Sequence, residues 1–121
     1  MNANVENHVL HFKGVFSEHA DFYNRLRDEV EWKTIQWKTR PLPRLCCHSV
    51  QKFDVGVNVI DWLQIFCVRN LGVNVNIIDV FGNYYRDGND HLPQHRDAYS
   101  TDGIKSHVVS ISFGASRRFH F

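Results

Sequence analysis

The chain has 121 residues, of which 43% are hydrophobic and 22% charged, enough for one globular domain with a modest core. Fourteen Lys and Arg against thirteen Asp and Glu leave a net charge of +1, so no strongly basic or acidic field names a partner, and any nucleic-acid surface must be local. Cys46, Cys47 and Cys67 are odd in number and lack CxxC spacing, which offers no partner set for a disulfide framework, argues against a cysteine zinc site and suits a reducing compartment.

The opening "MNANVENHVLHF" has no basic segment followed by an apolar one, and no apolar run reaches membrane-spanning length. The expected location is intracellular, nuclear or cytoplasmic, with no membrane partner. From Ser17, "SEHADFYNRLRDEVEW" places Phe22, Leu26 and Val30 four apart, with Ser17 as N-cap and Glu18 and Asp21 in the first turn, predicting an amphipathic helix. In "KTIQWKTRPLPRL" periodicity breaks, and Pro41 and Pro43 favour extended geometry before them, predicting strand, loop, strand. "NVIDWLQIFCVRNLG" predicts a second helix, capped by Asn58 and ended by Gly72, whose broad apolar faces imply burial. After Gly72 the period changes to two, with Val73, Val75 and Ile77 alternating with asparagines. "RDGND" supplies turn chemistry, and "HVVSISFGA" and "SRRFHF" read as further β segments. The expected class is α+β: N-terminal helices followed by antiparallel strands of a sandwich or jelly roll.

The chemistry concentrates in "NYYRDGNDHLPQHRDAYS", residues 83–100. Residues two apart on a strand project to one face, so His95 and Asp97 would offer an imidazole and a carboxylate side by side, two corners of a 2-His-1-carboxylate iron site. Spacing alone carries little, and a solvated strand end is the plainer reading of that pair.

The run "NYYRDGNDHLPQHRD" followed by "HVVSISFGASRRFHF" resembles the AlkB family of Fe(II)- and 2-oxoglutarate-dependent dioxygenases, in particular its branch for dealkylating nucleic acid. There the pattern is N-x-Y-x-D-G-x-D, then H-x-D, then a strand ending S-x-S-F-G-A. Upstream, "HFKGVFSEHADFYNRLRDEVEW" is similar to the family's leading strand and helix, and Pro43-Arg44 to its "PR" element. The resemblance implies a partial double-stranded β-helix, with residues 1–121 as the N-terminal and central part of the domain. It implies His95 and Asp97 as two iron ligands, Asn83 and Tyr85 as contacts to the cosubstrate 2-oxoglutarate, and O2 as the oxidant. Asp87, Gly88 and Asp90 belong to turn geometry. Arg44 resembles an arginine that lies near nucleic acid, against the plainer reading of an exposed, solvated side chain. Trp37 lies one residue from the position of an aromatic wedge, where Gln36 stands, and a buried tryptophan is the competing reading.

The implied activity is oxidative dealkylation of alkylated bases, DNA in preference to RNA, in which 2-oxoglutarate gives succinate and the hydroxylated alkyl group leaves as an aldehyde. Departures accompany the match. Ala98 and Tyr99 replace acids that line the family's base pocket, "LCCHSVQKFDVG" shows no tyrosine-rich lid, and Asn76 is out of register with the family's Phe-Asn pair. No third iron-binding histidine and no arginine for the cosubstrate tail can be assigned, since His107 and His120 fall on segments matching other positions. The expectation is therefore a fragment, a remnant, or a chain completed by a partner chain or strand, with little or no turnover alone, so enzymatic activity stays open. The alternative from another class is a non-catalytic module binding nucleic acid or a protein through Lys33, Lys38, Arg40 and Arg44 interleaved with Trp32 and Trp37. A third reading keeps the dioxygenase chemistry for a protein or small-molecule substrate.

Overall fold

A computed structural model describes residues 3–6, 9–17, 19–77, 79–93, 95 and 107–120. In chain order the elements are β1 (Ala3–Glu6), β2 (Val9–Phe12), α1 (His19–Glu29), β3 (Lys33–Trp37), β4 (Arg40–Cys47), a 3-10 turn (Val50–Lys52), α2 (Asp54–Leu71) and β5 (Gly82–Tyr84). The β1–β2 pair is a separate antiparallel ribbon, and β3, β4 and β5 form an antiparallel sheet with β4 in the centre. The molecule is α+β, but its order differs from helices followed by strands: the β3–β4 hairpin separates the two helices.

α1 forms where the four-residue spacing of apolar side chains predicts it, burying Phe22 against the core. α2 begins four residues before the expected cap. Asn58 lies inside it and accepts a hydrogen bond from Arg25 Nη2 at 3.0 Å, so its side chain joins the helices instead of starting one. The C-terminus ends as the sequence predicts. Gly72 adopts φ 66°, its N–H reaches Val68 O at 3.1 Å and that of Val73 reaches Cys67 O at 3.4 Å, a Schellman-type closure. The inference of burial from broad apolar faces fails for one side of α2: Val55 and Cys67 are inside, while Ile65 is 53% exposed and Val57, Val68 and Leu71 are exposed beside it.

Strand, loop, strand is what the proline-bearing segment forms, with Lys38 and Thr39 as the turn and Lys38 at φ 57°. The strands expected at Val73–Ile77 and in residues 107–120 do not form a ladder among the described residues. Alternation of side chains describes how an extended chain meets two environments; it does not supply the neighbouring strand that pairing requires.

The core gathers Phe22, Val30, Cys47, Val50 and Val55, with Phe16, Leu26, Trp32, Phe53, Val59, Val80 and Phe113 packed around it. An aromatic series connects the elements: Phe12 meets Phe66 edge-on at 5.1 Å, Phe66 stacks on Trp62 at 5.0 Å, Trp62 on Phe16 at 3.8 Å, and Phe16 lies 4.9 Å from Phe113. Val50 links this core to the site, since its N–H bonds Val80 O at 3.1 Å just before β5.

Candidate functional site

Register decides which side chains share a face. Cys46 pairs with Asn83, Leu45 with Tyr84 and Cys47 with Gly82, and continuing that ladder sets Tyr85 across from Arg44. Alternation then sorts the two strands. Leu45, Cys47, Gly82 and Tyr84 lie on one face, where Trp32 packs 5.4 Å from Tyr84 and Cys47 enters the core. Arg44, Cys46, Asn83 and Tyr85 share the other, so the pair that the resemblance assigns to the cosubstrate sits together with two residues of β4.

Arg44 is 7% exposed, which removes the reading of a solvated arginine. Its Nε–H donates to Asn83 Oδ1 at 2.6 Å, and the Cys46 thiol is 3.7 Å from the same oxygen. Burial pushes the Cys46 thiol upward, opposed by Arg44, so it stays protonated and can donate. Arg44 Nη1 is buried with no hydrogen-bond partner among the described residues. An unpaired desolvated cation is costly, and an anion brought beside it recovers part of that cost.

Tyr85 stands under a second guanidinium. Arg117 lies 4.4 Å over its ring centroid and donates from Nη1 to Asp87 O at 3.1 Å and from Nη2 to Asp90 O. Burial raises the Tyr85 phenol, with Arg44 and Arg117 pulling it down, so it remains a hydroxyl donor at neutral pH.

The "RDGND" segment is turn chemistry, as the sequence predicts. Asp87 Oδ1 accepts the N–H of Asn89 at 2.8 Å and of Asp90 at 3.3 Å. Asp90 also receives Arg86, through its backbone N–H at 2.9 Å and its guanidinium at 2.7 and 3.1 Å, which holds the carboxyl down at about 2. Beyond the turn, the His91 N–H bonds Pro43 O at 2.7 Å, returning the chain to β4.

His95 is exposed, and its Nδ1 lies 3.0 Å from Pro93 O. A carbonyl oxygen only accepts, so in that contact Nδ1 carries the proton. Asp97 lies outside the described residues, and among the described residues no group of three or more His, Cys, Asp or Glu could hold a metal ion. β5 supplies the first strand of the expected hairpin, His95 itself is not in a strand, and residues 94 and 96–106, over which the second would run, lie outside the described residues.

Trp37 is 66% exposed at the tip of the β3–β4 hairpin, so the competing reading of a buried tryptophan does not hold there. With Lys38, Thr39, Arg40, Pro41 and Leu42 it lines a shallow depression of about 250 Å³. Trp32 is different: it is half-buried and donates its indole N–H to Leu26 O at 3.0 Å, and Lys33 pairs with Glu31 at 3.3 Å. Of the basic and aromatic set read from the sequence, Trp37, Lys38 and Arg40 remain together at the tip.

Sequence reasoning missed Arg117, whose place over Tyr85 depends on the path of residues 107–120, and it missed the inward turn of Arg44. The alternation Arg44-x-Cys46 opposite Asn83-x-Tyr85 was a usable signal once the register was known.

No protein-family model matches the chain, and no solved structure matches it. A part of it is nevertheless similar to a DNA oxidative demethylase. The relative is the DNA oxidative demethylase ALKBH2 of Bos taurus, 46% identical over 39 residues that make up 32% of this chain and 14% of that protein. Among the described residues no helix is long and apolar enough to cross a membrane.

Proposed function

We propose that this chain carries the cosubstrate half of an AlkB-like Fe(II)/2-oxoglutarate dioxygenase domain that oxidatively dealkylates nucleic-acid bases. The supporting observation is the face on which Asn83 and Tyr85 meet Arg44, a buried guanidinium with an unpartnered N–H, while Arg117 lies over Tyr85. Two cations and two donor side chains suit an anion whose oxygens only accept, as in a 2-oxo dicarboxylate. The partial identity to ALKBH2 supports the same chemistry. His95 and Asp97 would hold Fe(II), which when bound supplies dioxygen activation coupled to decarboxylation of the cosubstrate. The chain's own work is to bind and orient: Asn83 and Tyr85 donate to the ligand, and the Arg44 charge favours its anionic form. A jelly-roll closure of the β3–β4–β5 sheet by further strands belongs to this proposal, as does substrate contact through Trp37, Lys38 and Arg40, where an exposed indole can stack on a base beside two cations.

Calorimetric titration with 2-oxoglutarate, with and without redox-inert Mn(II), tests this reading. Binding should tighten with Mn(II) in the wild type and lose that gain in His95→Ala and Asp97→Ala. Affinity that ignores both Mn(II) and Asn83→Ala would overturn it.

A further inference from the structure

Arg44 Nε–H can only donate, so the Asn83 atom 2.6 Å away is the carboxamide oxygen and not the nitrogen. The Cys46 thiol approaches the same oxygen from the paired position on β4. The two lone pairs of Oδ1 are thereby engaged, and among the described residues Nδ2 makes no hydrogen bond, which leaves both of its N–H groups to a ligand. Turning the amide over would set N–H against a buried guanidinium, donor against donor. From this we infer that Arg44 is a positioning residue: by taking the Asn83 oxygen, it makes Asn83 present donors only to whatever binds beside Tyr85.

The consequence is specificity. Tyr85, kept protonated by burial, and Asn83, held with its amide nitrogen outward, form two donors on one strand face. A ligand that presents carboxylate or keto oxygens matches them; one that presents N–H or O–H donors meets no acceptor at Asn83. Arg44 therefore acts through Asn83 as well as through its charge, and the two contributions are separable. Gln at this position keeps a donor for Oδ1 without the charge, whereas Met removes both. This inference rests on the reading of Asn83 and Tyr85 as cosubstrate contacts.

The experiment compares wild type, Arg44→Gln, Arg44→Met and Asn83→Asp by side-chain amide NMR and by titration with 2-oxoglutarate. In the ligand-free wild type and in Arg44→Gln, proton–proton distances should place the Asn83 N–H groups away from residue 44, and in Arg44→Met that preference should disappear. Affinity should fall roughly tenfold to a hundredfold in Arg44→Met, the scale of a hydrogen bond to a charged group, with partial recovery in Arg44→Gln. Asn83→Asp should raise the melting temperature by pairing the buried guanidinium and lose ligand binding together, a combination that a purely structural role does not produce. Arg44→Met with wild-type affinity and an unchanged Asn83 orientation would overturn the inference while leaving the cosubstrate reading intact. A wild type that does not bind 2-oxoglutarate would sink the cosubstrate reading, and the ligand-free amide orientation in Arg44→Met would then decide the role of Arg44 by itself.

Discussion

Gly82 opens the strand that carries the candidate site, and replacing it with alanine tests how that strand is held. A Cβ there would lie 2.9 Å from Trp32 Cη2 and 2.9 Å from Val50 Cγ2, well inside the ~3.5–4.0 Å of favourable carbon contact. Neither neighbour is free to give way. The Trp32 indole is fixed by its bond to Leu26 O, and Val50 is a buried core residue whose N–H holds Val80. Overpacking of this kind costs about 1–3 kcal/mol, whereas exchanging glycine for alanine in a strand otherwise gains about 0.5–1 kcal/mol. The steric cost is the larger, so Gly82→Ala should lose about 1–2 kcal/mol net. With a urea slope of about 1–3 kcal/mol per molar, the unfolding midpoint followed by circular dichroism should fall by roughly 0.3–2 M. β5 should also move off Trp32 and carry Asn83 with it, so 2-oxoglutarate affinity should fall in the folded variant. A Gly82→Ala protein as stable as the wild type, or more stable, would refute this account of how β5 is seated.

Three further outcomes follow from the same geometry. Arg117→Ala removes the cation over Tyr85 and two donors to the turn; hydrogen exchange of the Asn89 and Asp90 amides should speed up several-fold, equivalent to about 1 kcal/mol, and unchanged exchange would show that the turn needs no clamp. The Asp90 carboxyl is depressed to about 2 in the folded protein, chiefly by Arg86, so its contribution is present above the ordinary carboxylate value of about 3.9 and is lost as pH falls toward 2. Arg86→Gln should therefore flatten the stability profile between about pH 4 and pH 2, and a profile with the wild-type slope there would contradict the pairing. Trp37→Ala at the exposed hairpin tip should leave thermal stability within about 0.5 kcal/mol and weaken single-stranded DNA binding by about 1–3 kcal/mol, measured by fluorescence anisotropy. Unaltered DNA affinity would remove the tip from the substrate surface.

Local signals in the sequence mapped well onto elements governed by local rules. The four-residue spacing from Phe22 to Val30 gave α1, Gly72 ended α2 at a left-handed residue, and Asp87 built the turn that Asp-Gly chemistry predicts. Errors arose where tertiary partners decide. Asn58 has the composition of a cap, but Arg25 recruits it from inside the helix. Ile65 and Val68 have the pattern of a core and lie exposed, because only one side of α2 meets β2, α1 and the 3-10 turn. Asn83 and Tyr85 were legible as a two-apart pair on one strand face, whereas Arg44 was not, since burial of an arginine depends on the strand opposite and not on the proline before it. Arg117 could not be placed by any local rule, being 32 residues along the chain from the tyrosine it covers.

Fluorine NMR of the protein labelled with 3-fluorotyrosine, with the Tyr85 signal assigned by its loss in Tyr85→Phe, tests the central claim most directly. Titration with 2-oxoglutarate should shift the Tyr85 resonance saturably, leave Tyr23 and Tyr84 near their starting positions, and lose the Tyr85 shift in Asn83→Ala. A Tyr85 resonance indifferent to 2-oxoglutarate, or a response unchanged by Asn83→Ala, would contradict the assignment of this strand face to the cosubstrate.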